Sequence, residues 1–140
     1  MKGSGDRAHP YHSRLVKAVL WYLREKKGWT VWANDTGRFT GKGTYGTPGT
    51  ADIVGWAPVS YLSVARGGSM VFARACKLPR FVAVECKVGG DKLRAKQAKF
   101  LEEVREAGGI ALVVRLPKSK LGSDLEAKLA VREAVEEAEQ

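Results

Sequence analysis

Phe81-Val82-Ala83-Val84-Glu85-Cys86-Lys87 is the stretch on which the reading of this chain turns. Its apolar, β-branched composition predicts a strand. Strand alternation puts Phe81, Ala83, Glu85 and Lys87 on one face and Val82, Val84 and Cys86 on the other. A carboxylate and an ammonium two residues apart at the end of an apolar strand are costly to bury without a partner or a purpose. Upstream, Gly49-Thr50-Ala51-Asp52 leads into the short apolar strand Ile53 to Trp56 and sets a second carboxylate at its mouth. Downstream, Gln97 falls on or beside the apolar stripe of a helical pattern, where Leu or Ala is expected. There it is either a core hydrogen-bonder or a group reaching toward Glu85 and Lys87.

Outward from this stretch, the pattern is that of one α/β domain. Residues 1–10 are polar and glycine-containing and read as a loose tail. From Tyr11 to Lys27, Leu15, Val16, Val19, Leu20 and Leu23 draw one apolar stripe of a helix, which Gly28 stops. Trp29 to Ala33 is a first strand. The segment 34–49 holds five glycines, Pro48, Arg38 and Lys42 and reads as a loop. It is not a Walker A loop, because Lys42 is followed by Gly43 rather than Ser or Thr. A basic loop beside a phosphodiester and a plain long hairpin connection fit it equally. Within 57–80, Tyr61 to Ala65 and Met70 to Ala73 suggest two strands about Gly67-Gly68, closed by Pro79. Asp91 to Ala107 is a second amphipathic helix with Leu93, Phe100, Leu101 and Val104 inward. Gly108-Gly109 ends it, and Ile110 to Val114 is a buried strand, so a parallel crossover is expected. Ser123-Asp124-Leu125-Glu126 is a capping box that opens a final helix.

The 140 residues suffice for one domain with a real core and are too few for two ordinary ones. The expected organisation is a tail over 1–10, a core over 11–122 and an acidic helix over 123–140. That last segment carries six acids against Lys128 and Arg132, net −4; with +9 for the whole chain, the first 122 residues carry +13. A body this basic binds polyanions by releasing counterions. Cys76 and Cys86 lack metal-ligand spacing and neighbouring histidines, which excludes a zinc site; Cys86 reads as a small buried apolar residue. No signal peptide or membrane-length apolar run is present, and a cytoplasmic location is expected. Trp21, Trp29, Trp32 and Trp56 lie within helix and strand patterns, which assigns them to core packing ahead of base stacking.

The chemistry that fits these residues is metal-assisted phosphodiester hydrolysis. Mg²⁺ prefers hard oxygen ligands and retains waters, so Asp52 and Glu85 suffice, with the Cys86 backbone carbonyl as a third oxygen. Lys87 is placed to orient a water or stabilise a developing oxyanion. The competing reading is a plain Glu85–Lys87 pair at a sheet edge. Together, Gly49-x-x-Asp52, Glu85-x-Lys87, Gln97, the Gly108-Gly109 stop and the Ile110-Ala111-Leu112-Val113-Val114 strand resemble the PD-(D/E)XK nuclease superfamily. Within it they are most similar to the VRR-NUC branch, which includes small stand-alone phage proteins. The resemblance covers residues 11–116. It implies a restriction-endonuclease-like αβββαβ core, a mixed central sheet flanked by helices, with the C-terminal helix as an addition. It further implies Mg²⁺ or Mn²⁺ dependence and endonucleolytic cleavage of branched DNA by a homodimer, as in Holliday-junction resolvases. Asp52 and Glu85 would be metal ligands, Lys87 the water-orienting residue and Gln97 a site-shaping residue.

Two departures qualify this. Family members often carry a Glu near the start of the first helix, and here no acid lies between Asp6 and Glu25. His12 is the stand-in, as a metal contact or proton-transfer group, against the alternative of a surface histidine. The interval from Asp52 to Glu85 is also long, so 57–80 reads as an added hairpin for substrate contact, dimerisation or structure alone. Arg38, Lys42, Lys92, Arg94, Lys96 and Lys99 are the candidate DNA-phosphate contacts, the helical ones competing with a merely solvated face. A catalytically silent DNA-binding module with a nuclease fold is the alternative function, and a basic structural protein a third.

Overall fold

The computed structural model describes residues 10–34 and 49–140. Residues 1–9 of the expected tail, and Arg38 and Lys42 as expected DNA-phosphate contacts, therefore lie outside the described residues, while Pro10 belongs to the first helix rather than to the tail. The element order is α1 (Pro10–Trp21), a π-helical turn (Tyr22–Lys26), β1 (Thr30–Ala33), β2 (Ile53–Gly67), β3 (Met70–Val88), α2 (Ala95–Glu106), β4 (Ile110–Leu116), a 3₁₀ turn (Lys118–Lys120) and α3 (Asp124–Glu139). The strands form one mixed sheet in the order β1-β2-β3-β4. β1, β2 and β3 form an antiparallel meander, and β4 pairs parallel to β3 after the α2 crossover. The chain is thus α/β, with a four-stranded mixed sheet between helices.

The sheet's two faces follow from alternation. On one, Val82, Val84, Cys86 and Val88 of β3 and Leu112, Val114 and Leu116 of β4 pack on Leu15, Val19 and Leu23 of α1 and Val131 and Val135 of α3. Each of these side chains is nearly or fully withdrawn from water, which at about 25 cal/mol per Å² makes this layer the main source of stability. α2 covers the other face only over β3 and β4, where Leu101 and Val104 meet Ala83 and Ala111. Among the described residues, no helix covers the β1–β2 half of that face.

Several boundaries differ from the sequence reading for identifiable reasons. α1 passes into a π turn, closed by Lys27 N donating to Tyr22 O at 3.2 Å. Gly28 then turns the chain at φ +68°. α2 begins at Ala95 rather than Asp91, because the Gln97 side chain turns back and accepts from Arg94 N at 2.9 Å. That bond fixes the helix start one turn later than periodicity alone suggests. β2 does not stop at Trp56. It runs unbroken to Gly67, and β3 runs from Met70 through Pro79 to Val88, so the two strands share one long hairpin closed at Gly68-Ser69. Pro58 and Pro79 are tolerated because they face each other at a rung where neither β1 nor β4 remains alongside to need an N–H. The final helix starts as expected, with Ser123 Oγ accepting from Glu126 N at 3.3 Å.

The tryptophan reading needs correction. Only Trp29 is buried; Trp21, Trp32 and Trp56 are 39%, 45% and 43% exposed. Trp32 and Trp56 lie on the β1–β2 half of the sheet face, where no helix among the described residues covers them.

Gly55 is where β1 approaches β2 most closely. A Cβ there would sit 2.0 Å from Thr30 O and 2.7 Å from Val31 Cα, both backbone atoms that cannot yield without breaking the β1 pairing. Gly55→Ala is expected to destabilise the protein by about 2 kcal/mol or more in urea unfolding, the upper range for overpacking. A change below about 0.5 kcal/mol would contradict the tight β1–β2 apposition.

Candidate functional site

The site forms where β2 begins and β3 ends. Ile53 pairs with Val84, so Asp52 enters the sheet beside Glu85. Asn34 positions this entry: its backbone N donates to Asp52 O at 2.7 Å, and its side-chain amide donates to Thr50 Oγ1 and Ala51 O. Gly49 takes φ +89° and packs so closely on α2 that a Cβ would lie 2.7 Å from Lys96 Cβ. A glycine is required there, and the turn sets Lys96 next to the approach to Asp52.

Asp52 Oδ2 accepts from Cys86 N at 2.8 Å and lies 3.3 Å from His12 Nε2 on α1. In an extended strand a residue's carbonyl points to the same side as its N–H, so Cys86 O is turned toward Asp52 as well. Glu85 is only 2% exposed. Its Oε1 accepts from Gln97 Nε2 at 2.8 Å and lies 3.5 Å from Lys87 Nζ. Its Oε2 is buried with no hydrogen-bond partner. Lys87 Nζ donates to Gln97 Oε1 at 2.9 Å, so the one amide joins Lys87, Glu85 and the start of α2.

The charges interact strongly. Burial, then the negative charge and hydrogen bonding of Asp52, push the Glu85 carboxyl up to about 8, against the opposing pull of Lys87. Burial works in the same direction on Asp52, but the hydrogen bonds from His12 and the Cys86 amide outweigh it and hold Asp52 below its ordinary value. The hydrogen bond to Asp52 raises His12 in turn, against its own burial. Burial raises the Cys86 thiol well above its usual range, which keeps it a neutral core residue as its strand position suggests. One carboxylate ionised and the other holding a proton is what mutual repulsion of two like charges at a buried site produces.

All five central candidates, His12, Asp52, Glu85, Lys87 and Gln97, therefore converge. Lys92, Arg94, Lys96 and Lys99 are all exposed at and before the start of α2. Lys99 is 3.9 Å from Glu103, so part of its charge is answered within the helix. Sequence reasoning missed an aromatic surface on the same sheet face. Trp56 pairs with Phe81, and Trp32 with Val54, which places all three rings on the Glu85 side of the sheet. The Trp32 and Trp56 rings meet edge-on with centroids 5.7 Å apart, and Phe81 is 48% exposed. The signal was available: Trp32, Trp56 and Phe81 fall in phase with Ala83 and Glu85 once the strand register is known.

Donor chemistry fits a hard divalent cation. Asp52 and Glu85 supply carboxylate oxygens, Glu85 Oε2 is an acceptor lacking any donor, and Cys86 O faces the same side. Among the described residues there is no group of three or more His, Cys, Asp and Glu side chains able to hold a metal, so any ion here would keep several waters. No helix among the described residues is long and apolar enough to cross a membrane. No family model, curated protein or solved structure matches the chain.

The Glu85 shift has a definite sign. Its folded value lies above its unfolded one, so the stability it contributes is full below about pH 4.5 and is lost as pH rises through about 8. Without metal, the wild type is expected to lose up to a few kcal/mol between pH 5 and 8.5 relative to Glu85→Gln, whose side chain does not ionise. Urea unfolding at both pH values checks this. Mg²⁺ should stabilise the wild type more at pH 8.5 than at pH 6 and leave Glu85→Gln nearly unaffected. Parallel pH profiles for the two proteins would contradict the buried carboxylate pair.

Proposed function

We propose that the chain is a metal-dependent DNA endonuclease with a restriction-endonuclease-like core similar to the VRR-NUC branch, acting on branched or otherwise structured DNA such as Holliday junctions. One observation carries the reading: Glu85 Oε2 is buried without a donor beside Asp52, on a strand whose next same-face residue is Lys87. A carboxylate pair with that vacancy of donors suits Mg²⁺ or Mn²⁺ far better than it suits a structural ion pair. A bound ion would lower the pKa of a coordinated water and offset charge on the phosphate.

The chain's own groups divide the remaining work. Asp52 and Glu85, with Cys86 O, form the acceptor side of the site. His12, hydrogen-bonded to Asp52, fixes that carboxylate's rotamer and is the stand-in for the first-helix carboxylate that the resemblance implies. Lys87 keeps its ammonium at the site because Gln97 holds it, ready to orient the attacking water or a phosphate oxygen. Gln97 touches both Glu85 and Lys87 and acts as a positioning residue. Lys92, Arg94, Lys96 and Lys99 present cations to the backbone of the nucleic acid. Trp56 lies two same-face positions along β2 from Asp52, about 13 Å at strand spacing, and Trp32 flanks it. Exposed rings at that distance favour a substrate with unpaired bases to stack on them, as a branch point offers.

Cleavage of a labelled four-way junction and a matched duplex in Mg²⁺, Mn²⁺ or EDTA tests the assignment. Metal-dependent cutting is expected, falling by at least about 100-fold in Asp52→Ala and Lys87→Ala. Trp56→Ala is expected to weaken junction binding about tenfold, while cutting of saturating junction stays within a factor of two. Binding without cutting in every metal would replace the enzyme with the silent DNA-binding module.

A further inference from the structure

The β2–β3 hairpin continues eleven rungs past Trp56–Phe81, from Ala57–Arg80 to Gly67–Met70. β1 ends alongside Trp56 and β4 begins alongside Val82, so among the described residues no strand flanks this arm. At strand spacing it reaches about 35 Å from the sheet. Tyr61, Phe72 and Leu78 occupy one face and Leu62, Val64 and Val71 the other, and all six are 43–63% exposed. Cations divide in the same way: Arg74 shares the first face, and Arg66 and Lys77 share the second. All three are exposed, and no acid occurs between Ile53 and Val84. Arg80 at the root is tied down, donating to Gly108 O at 2.8 Å. A two-stranded ribbon is marginal in water, and one that is apolar on both faces calls for a partner.

We propose that the arm is a divider for DNA strands that have parted. At a branch point it stands between the two diverging strands, with unpaired bases of one strand on each face. This rests on the DNA reading above and adds which part of a branched DNA is recognised, and by what. Both faces carry the same two chemistries, apolar or aromatic surface for bases and a cation for phosphates. A duplex groove admits a two-stranded ribbon but meets the base edges with one face and leaves the other in water. Separated strands cover both. Three unanswered cations without an acid match a polyanion, whereas the arm of a second copy would bring like charges together. Thickness points the same way. With side chains on both faces the ribbon is about 10 Å thick, about three times the 3.4 Å spacing of stacked bases. It therefore does not intercalate in a closed duplex and fits only where the strands are already apart. The face of Leu62, Val64 and Val71 is continuous with Trp56 and Phe81, and beyond them with Glu85. A strand leaving the divider on that side runs down to the carboxylates.

Binding in EDTA tests this apart from cutting. A fork with two unpaired arms, labelled with 2-aminopurine at the first unpaired base of each strand, and a matched duplex are titrated with the full chain. Two variants are compared, Arg66→Glu with Arg74→Glu and Val71→Ser with Phe72→Ser, all outside the core; unchanged far-UV circular dichroism confirms their fold. The wild type is expected to bind the fork at least about tenfold more tightly than the duplex and to shift the probe's fluorescence on both strands. The glutamate pair should weaken fork binding at least about tenfold and lower its salt slope by about 2, with the duplex affected less than about threefold. The serine pair should weaken the fork about tenfold at an unchanged salt slope. Fork binding indifferent to both pairs overturns the proposal. So do equal losses on fork and duplex, which assign the arm to a groove, and a probe response on one strand only. A wild type that sediments as a dimer and becomes monomeric in the serine pair also overturns it, assigning the arm to a second copy. Fork preference that is lost with the arm while no metal supports cutting leaves the divider standing and removes the nuclease. Metal-dependent cutting with fork binding indifferent to the arm does the reverse, and failure to bind any DNA overturns both.

Discussion

A carboxylate withdrawn from water beside another carboxylate is the constraint on which the rest of the structure depends. Glu85 sits at the end of β3 with one oxygen satisfied by Gln97 and the other by nothing. Burying an ionised carboxylate in this state is costly, and burial beside Asp52 pushes the Glu85 carboxyl up to about 8, so that it keeps its proton at neutral pH. Several other features follow. Asp52 can stay ionised only because His12 and the Cys86 amide answer its charge from the opposite side. Lys87 is tolerated at 9% exposure because Gln97 and Glu85 both face its ammonium. Each polar group here is held by another, and one Glu85 oxygen alone is left without a donor.

The fold delivers this arrangement with few residues. The α1–α3 layer buries the apolar side of β3 and leaves the Glu85 side to α2 alone. α2 is set down so that its first turn, rather than its middle, meets the strand end. The half of the same face that no described helix covers then leaves Trp32, Trp56 and Phe81 in water. Polar chemistry, exposed aromatic rings and a row of cations thus share one side of the sheet, while the hydrophobic layer that supports them lies on the other.

Much of this was legible in the sequence, and the limits have physical causes. The helices and the strand that follows α2 could be read because the apolar stripes of α1 and α2 and the Ser123 cap are local signals, whereas the three-strand meander between the helices came only from the family resemblance. Convergence of Asp52, Glu85, Lys87 and Gln97 could be anticipated from strand alternation, since a burial penalty is visible wherever a charge interrupts an apolar run. His12 was uncertain because its role depends on how α1 crosses the sheet, a tertiary fact. The unbroken strands through Pro58 and Pro79 were not legible, since proline argues against a strand until it is known that no neighbour lies alongside. The exposure of Trp32 and Trp56 was hidden for a related reason: local pattern shows which face a side chain takes, not whether a helix covers it.

Gln97 has a consequence for how this region opens. Its carboxamide is at once the cap of a helix and the brace of a lysine, so the two cannot come apart independently. Fraying of the first turn of α2 releases Lys87 and strips Glu85 of its one amide donor, while any cation that draws Glu85 into a fixed geometry also tightens that turn. The local opening free energy of the helix start and the order of the carboxylate pair are one quantity seen from two ends. The cations on that turn are therefore held most firmly when the polar cluster beneath them is fully engaged.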